Sequence, residues 1–186
     1  MTCSVFIATS LDGFIARPDG NIDWLEAANQ RVPLDEDCGY ADQMASVDAL
    51  VMGRATFEKV LGFPDWPYGN TPVYVLSRTL TTLPGHLPAS VVLCNAGSPA
   101  EVVALARSRG HERLYVDGGQ TIQGFLAAGL IDTLTLTTIP VLLGQGLRLF
   151  GPLTQDVALT HLATLAYPFG FVQSRYAVTR ASPTAI

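Results

Sequence analysis

The chain has 186 residues, 48% of them apolar, and a formal net charge of −5. That length holds one domain with a sizeable core, and the acidic balance excludes a general affinity for nucleic acid or an anionic membrane, while two or three local cations would still suffice for a small anionic ligand. Cys3, Cys38 and Cys94 are odd in number and form no CxxC pair, so they read as small core residues in a reducing compartment.

The first element is the apolar, β-prone run Val5–Thr9, followed by Ser10-Leu-Asp-Gly and a long loop punctuated by Pro18, Asp19-Gly20 and Asn21. A helix is expected over Asp35–Val47, a buried strand over Ala49–Met52, and a second helix from Gly53 to about Val60. The stretch from Gly62 to Asn70 is rich in turn formers, and Val73–Leu76 and Ser90–Leu93 are further buried strands. Ser98 with Glu101 three residues on resembles a capping box, opening a helix to Arg109 that Gly110 ends. Leu114–Val116 runs into Asp117-Gly118-Gly119, a helix with Ile122, Phe125 and Leu126 inward stops at Gly129, and Leu134–Thr138 is again strand. Val157–Ala166 and Phe171–Thr179 alternate and are joined by Tyr167-Pro-Phe-Gly, a hairpin, with Val172, Tyr176 and Val178 on one face of the last strand. Alternating βα units followed by a hairpin predict an α/β domain: a mainly parallel central sheet with helices on both faces and a C-terminal antiparallel edge. One domain is expected over residues 1–180, with 181–186 a flexible tail. No basic segment precedes a long apolar one and no run approaches about 18 apolar residues, so a cytoplasmic protein without a membrane partner is expected.

Familiar catalytic motifs are missing. No GxGxxG follows a strand, no GxxxxGK[ST] occurs, and there is no GxSxG elbow. His86, His111 and His161 stand apart from one another and from the cysteines, so no metal site is expected. What the sequence offers instead is glycine where strands give way to helices, at Val51-Met-Gly-Arg-Ala-Thr56 and at Val116-Asp-Gly-Gly-Gln-Thr121. A helix N-terminus presents free N–H groups and partial positive charge, and glycine lets a phosphate approach that backbone. Either junction alone could be only a tight turn. Together with Leu76-Ser77-Arg78 at a third strand end, and with Arg54, they form a constellation suited to phosphate.

These segments resemble, in order and spacing, the cofactor segments of dihydrofolate reductases. The closer resemblance is to the family sharing a domain with the reductase half of the bacterial riboflavin-pathway deaminase–reductase. Ala8-Thr-Ser-Leu-Asp-Gly-Phe-Ile15, Asp19-Gly-Asn-Ile-Asp-Trp24, Phe63-Pro-Asp-Trp-Pro-Tyr68, Phe125-Leu-Ala-Ala-Gly-Leu-Ile-Asp132 and Pro140-Val-Leu-Leu-Gly144 carry it along nearly the whole chain. The resemblance implies a three-layer dihydrofolate-reductase-like domain that binds NADPH. Gly53, Arg54 and Thr56 would meet its phosphates, and Leu76, Ser77 and Arg78 would lie near the adenosine 2′-phosphate. Val116, Gly118, Gly119, Gln120 and Thr121 would line the pyrophosphate and nicotinamide end. Ala8 and Ile15 would lie against the nicotinamide, with Leu11–Asn21 as a partial lid.

The remaining chemistry is the positioning of an acceptor and the handling of one proton. Counting back from Gly53, Asp37 falls where dihydrofolate reductases place a pterin-gripping carboxylate, although an aspartate near a helix start also serves as a cap. Thr137 matches a threonine that supports that carboxylate, and Trp24 could roof the substrate pocket or simply pack in the core. The function implied is NADPH-dependent reduction of a small heterocycle, pteridine- or pyrimidine-like, or of a carbonyl or imine compound. The alternative is a nucleotide-binding protein of the same fold without turnover. A homodimer through the apolar terminal strands and Pro140–Phe150 is expected.

Overall fold

The structure, a computed structural model, describes residues 1–95 and 98–179; the tail expected at 181–186 lies outside them. Strand β1 (Thr2–Ser10) and the short β2 (Phe14–Ala16) are followed by helices α1 (Asp23–Asn29) and α2 (Tyr40–Ala45). Next come β3 (Ala49–Gly53), α3 (Arg54–Leu61), β4 (Val73–Leu76), β5 (Val91–Cys94) and α4 (Pro99–Ser108). The chain continues through β6 (Arg113–Asp117), α5 (Gly119–Ala127), β7 (Thr133–Ile139), β8 (Leu147–Arg148), β9 (Leu159–Ala166) and β10 (Val172–Val178).

Eight strands form one sheet in the order β5-β4-β3-β6-β1-β7-β10-β9. The first six are mutually parallel, while β10 runs antiparallel to both β7 and β9. Side-chain alternation divides β3 between two layers. Ala49 and Val51 join a core with Val102 and Ala106 of α4 and Ile122, Phe125 and Leu126 of α5. Leu50 and Met52 join a core on the other face with Phe57 and Val60 of α3. Trp24 and Ala28 of α1 pack with Ile139 and Phe171 in a third cluster. The fold is the three-layer α/β arrangement expected, and its parallel strands are apolar runs because both faces are covered.

Local signals account for most boundaries. Ser98 Oγ accepts the Glu101 N–H (3.3 Å) while Glu101 Oε2 accepts the Ser98 N–H (3.2 Å), so the capping box forms at α4. Helix α1 is a departure from the expected loop: turn formers at Pro18–Asn21 masked a seven-residue helix that places Trp24 and Ala28 four residues apart and buried. Helix α2 starts five residues later than expected, because Cys38 (φ 54°) and Gly39 (φ 81°) break the helical path ahead of Tyr40. The two-residue β8, which pairs with β2, was also missed: so short a strand has no readable alternation.

Candidate functional site

The carboxyl ends of β3 and β6 lie side by side, with Met52 paired to Asp117, and each strand runs directly into a helix. Gly53 and Gly118 are the N-cap residues of α3 and α5, and no side chain caps either helix. The two turns interlock. A Cβ on Gly53 would come within 2.8 Å of Thr121 Oγ1, and one on Gly118, at φ +89°, would collide with Thr56 Oγ1. A Cβ on Gly119 would lie 2.7 Å from Ile15 Cδ1 and 3.5 Å from the Arg148 carbonyl oxygen. Glycine is therefore demanded at both junctions by close approach, and at Gly118 by backbone conformation as well.

The electrostatics of these helix starts differ from the rest. Asn21 accepts the Asp23 N–H at the start of α1, Asp37 accepts those of Gly39 and Ala41 at α2, and Ser98 caps α4; each of these helices also has an acid in its first turn. Helices α3 and α5 have no acid there, and α3 opens on Arg54. Their N–H groups and partial positive charge remain available to an anion.

The predicted residues fall as follows. Gly53, Arg54, Thr56, Gly118, Gly119, Gln120 and Thr121 come together at the paired junctions, with Ile15 against Gly119. Arg54 is exposed, its Nε 3.7 Å from Glu58 Oε1 one turn on. Val116 lies in the core and Leu76 packs against it, leaving their backbones as the usable groups. Ser77 is buried at the end of β4, where its Oγ accepts the N–H groups of Thr79 (3.2 Å) and Leu80 (2.9 Å). That hydroxyl builds the turn from which Arg78 projects, exposed. Ala8 is half-buried on β1 in register with Thr137 on β7. Thr137 is buried, and its Oγ1 accepts a bond from Gln173 Nε2 (2.9 Å), which also donates to the Cys38 carbonyl (2.9 Å). Trp24 is buried among Ala28, Ile139 and Phe171, and its Nε1 has no acceptor among the described residues.

Asp37 occupies the second of its two expected positions. Its Oδ1 and Oδ2 accept the Gly39 and Ala41 N–H groups (2.8 Å each), the side chain is exposed, and these bonds hold its pKa below the ordinary value. The carboxylate is spent on the start of α2.

A different carboxyl group lies at the paired junctions. Asp117 sits one residue before the Gly118 turn, and burial pushes its pKa up from 3.8 to about 6 against the opposing bond from the Gly118 N–H (2.8 Å). Burial also raises Tyr40, Tyr68 and Tyr115, and the Asp117 charge raises all three further. Tyr115 donates to the Phe6 carbonyl (2.7 Å), and the Tyr40 and Phe6 rings are 6.1 Å apart. The sequence reading took Asp117 only as part of a glycine turn. The available signal was an acid ending an apolar strand two residues after Tyr115, and so on the same face. Arg148 was missed too: its guanidinium lies 4.5 Å from the centre of the Phe14 ring and donates to the Asp12 carbonyl (3.3 Å).

A doubly covered parallel sheet with an antiparallel C-terminal hairpin, and paired glycine–helix turns at its carboxyl edge, defines a dihydrofolate-reductase-like domain. The chain belongs to the RibD C-terminal domain family, whose family model matches residues 2–172. It is 34% identical over 157 residues to the uncharacterized protein YwjB of Bacillus subtilis, covering 83% of this chain and 86% of that protein. A crystal structure from Shewanella sp. PV-4, of a protein provisionally assigned to riboflavin biosynthesis, is 41% identical with a TM-score of 0.89, covering 97% of this chain and all of that one. The Thermotoga maritima diaminohydroxyphosphoribosylaminopyrimidine deaminase/5-amino-6-(5-phosphoribosylamino)uracil reductase shares the fold at TM-score 0.70 and 15% identity, over 96% of this chain and 56% of that one. Dihydrofolate reductase from Enterococcus faecalis, solved with NADP(H), shares it at 0.63 and 18% identity, over 96% and 97%. Among the described residues, no group of His, Cys, Asp or Glu could hold a metal, and no helix is long and apolar enough to cross a membrane.

Proposed function

We propose that this chain is an NADPH-dependent reductase acting on a small pyrimidine-like or imine-bearing substrate. The observation that carries the reading is the pair of uncapped, acid-free helix starts at Gly53 and Gly118, with the carboxyl of Asp117 beside them. Gly53 and Gly119 would hold the pyrophosphate through backbone N–H groups and Thr56 and Thr121 through hydroxyls, with Gly118 allowing its close approach and Arg54 alongside. Arg78 at the end of β4 would meet a 2′-phosphate. Ala8 and Ile15 would flank the nicotinamide. Bound there, NADPH supplies the hydride.

The chain's own contribution is orientation and one proton. Phe6, Tyr40 and Tyr68 form an aromatic wall against which a planar ring packs. Asp117 can give a proton to the reduced C=N or C=O group, and a carboxyl titrating near pH 6 balances proton supply against donor strength at neutral pH. Thr137, fixed by Gln173, keeps its own O–H free to donate. Titration of the purified protein with NADPH and NADH, followed by energy transfer from Trp24 and Trp66, tests the reading. NADPH should bind at least about tenfold more tightly, a difference of about 1.4 kcal/mol, and Arg78→Ala should erase most of that preference. Failure to bind either nucleotide would overturn the reductase reading.

A further inference from the structure

The segment between β1 and α1 is fastened along its length. Ser10 Oγ donates to Asp12 Oδ1 (2.6 Å) and accepts the Phe14 N–H (2.9 Å), and the Leu11 N–H reaches the Val141 carbonyl (2.9 Å). Asp12 then crosses to the loop after β7: its two carboxylate oxygens accept the Leu143 N–H (3.1 Å to each), and Oδ2 also accepts that of Gly144 (2.7 Å). An ionised acceptor makes such bonds the stronger kind. The Asp12 carbonyl takes a bond from Arg148 Nη1 (3.3 Å), whose guanidinium stacks on Phe14, and the Gly13 carbonyl accepts the Leu149 N–H (3.1 Å). Farther on, the Arg17 N–H donates to the Asn21 carbonyl (2.8 Å), and the Arg17 guanidinium pairs with Asp23 on α1.

These bonds converge on Ile15. Strand β2 pairs Phe14 with Arg148 and Ala16 with Leu147, so the register shifts at Ile15, and a bulge of this kind re-aims the side chain it carries. Phe14 and Ala16 are buried, while Ile15 packs half-buried on the core that includes α5, with its Cδ1 against Gly119. The α5 side is fixed as well. Gln123 Nε2 donates to the Arg148 and Leu149 carbonyls (3.1 Å each), and the Arg148 carbonyl borders Gly119. The loop after β1, the β2–β8 pair and the start of α5 thus form one hydrogen-bonded unit, to which Asp12 ties Leu143 and Gly144.

The sequence reading made Leu11–Asn21 a partial lid. A segment bonded on both sides has little freedom to open. Resting on the reductase reading above, we infer that Asp12 is a positioning residue, which holds the loop after β1 as a fixed wall and keeps Ile15 at the Gly119 turn, ready for the nicotinamide of NADPH. A wall set in advance spares the cofactor the cost of ordering it.

The test uses NADPH and its fragment without the nicotinamide, 2′-phospho-ADP-ribose. Asp12→Ala should weaken NADPH by about tenfold and leave the fragment within about twofold, because Ile15 meets only the nicotinamide end. Asp12→Asn, which keeps one acceptor oxygen, should lie between that variant and the wild type. Ile15→Ala should also weaken NADPH alone, and adding it to Asp12→Ala should cost less than the product of the two separate losses. Equal losses for both compounds, no loss for either, or multiplicative losses in the double variant overturn the inference. Hydrogen exchange on the wild type decides the matter whether or not a variant folds: the Phe14, Leu143 and Gly144 amides should be protected alike with and without NADPH. Absence of protection, or protection gained only with NADPH, overturns the fixed wall. If the wild-type protein binds neither compound, the reductase reading falls and the role of Ile15 with it, while exchange still reports whether the wall is fixed.

Discussion

Two aspartates show how one residue type is assigned different work by its surroundings. Asp37 lies among free N–H groups at a helix start and is held ionised as a cap, whereas Asp117 has one such bond and burial opposes its charge. The second arrangement makes stability depend on pH. Because the folded protein raises the Asp117 pKa from 3.8 to about 6, it favours the protonated form. The stabilisation is complete below about pH 4 and is lost as pH rises through 6. The phenols facing it, Tyr40, Tyr68 and Tyr115, are all pushed above their ordinary range and stay neutral throughout. Asp117→Asn should therefore match the wild type in thermal stability near pH 4 and exceed it above pH 7 by about 1–3 kcal/mol. A difference independent of pH would remove the buried-charge account. Wild-type kcat/KM should fall above pH 6 as the proton donor ionises, and the variant should lack that limb.

At the scale of elements, the site depends on α3 and α5 starting almost in contact. Thr56 of α3 fills the space beside Gly118, and Thr121 of α5 fills that beside Gly53, so each helix start buttresses the other. Gly118→Ala must place a Cβ against Thr56 Oγ1 at φ +89°. A destabilisation of about 1–3 kcal/mol is expected, together with a loss of NADPH affinity. Denaturant unfolding checks the first, and the double variant with Thr56→Ala should recover only the steric part. Full recovery would mean that the backbone conformation costs nothing. The loop after β1 is secured by other means: Asp12 accepts the Ser10 hydroxyl (2.6 Å) and the Leu143 and Gly144 N–H groups (3.1 and 2.7 Å), and these bonds lower its pKa to about 2. The loop after β1 is thus tied to the loop after β7 at any ordinary pH.

Among the described residues of the whole molecule, the β9 edge of the sheet is left uncovered. All eight residues of β9, Leu159–Ala166, are exposed, and none is charged or proline. Natural edge strands of that length usually carry such safeguards. We propose that a second copy covers this edge, as the homodimer expected from the sequence requires. Sedimentation velocity should give twice the 19.8 kDa chain mass. Leu162→Lys with Leu165→Lys should yield a folded monomer. A wild-type monomer at micromolar concentration would show that the strand stands alone.

Sequence and tertiary structure divide this protein along a physical line. Apolar runs with turn punctuation, the Ser98 capping box and the glycines after β3 and β6 act over a few residues, so most of the strand and helix order, the fold class and the glycine–helix junctions were legible in the sequence. The interlock of Thr56 with Gly118 and of Thr121 with Gly53 joins positions more than sixty residues apart. The burial of Asp117, whose charge acts on Tyr40 and Tyr68, also depends on segments distant in the chain, and it turns an aspartate ending a strand into a carboxyl with a raised pKa. Asp37 shows the same division from the other side: its position in the chain allowed either a substrate contact or a cap, and only the path of Cys38 and Gly39 into α2 decided for the cap. Burial and charge proximity depend on which distant elements pack together, and no local pattern encodes them.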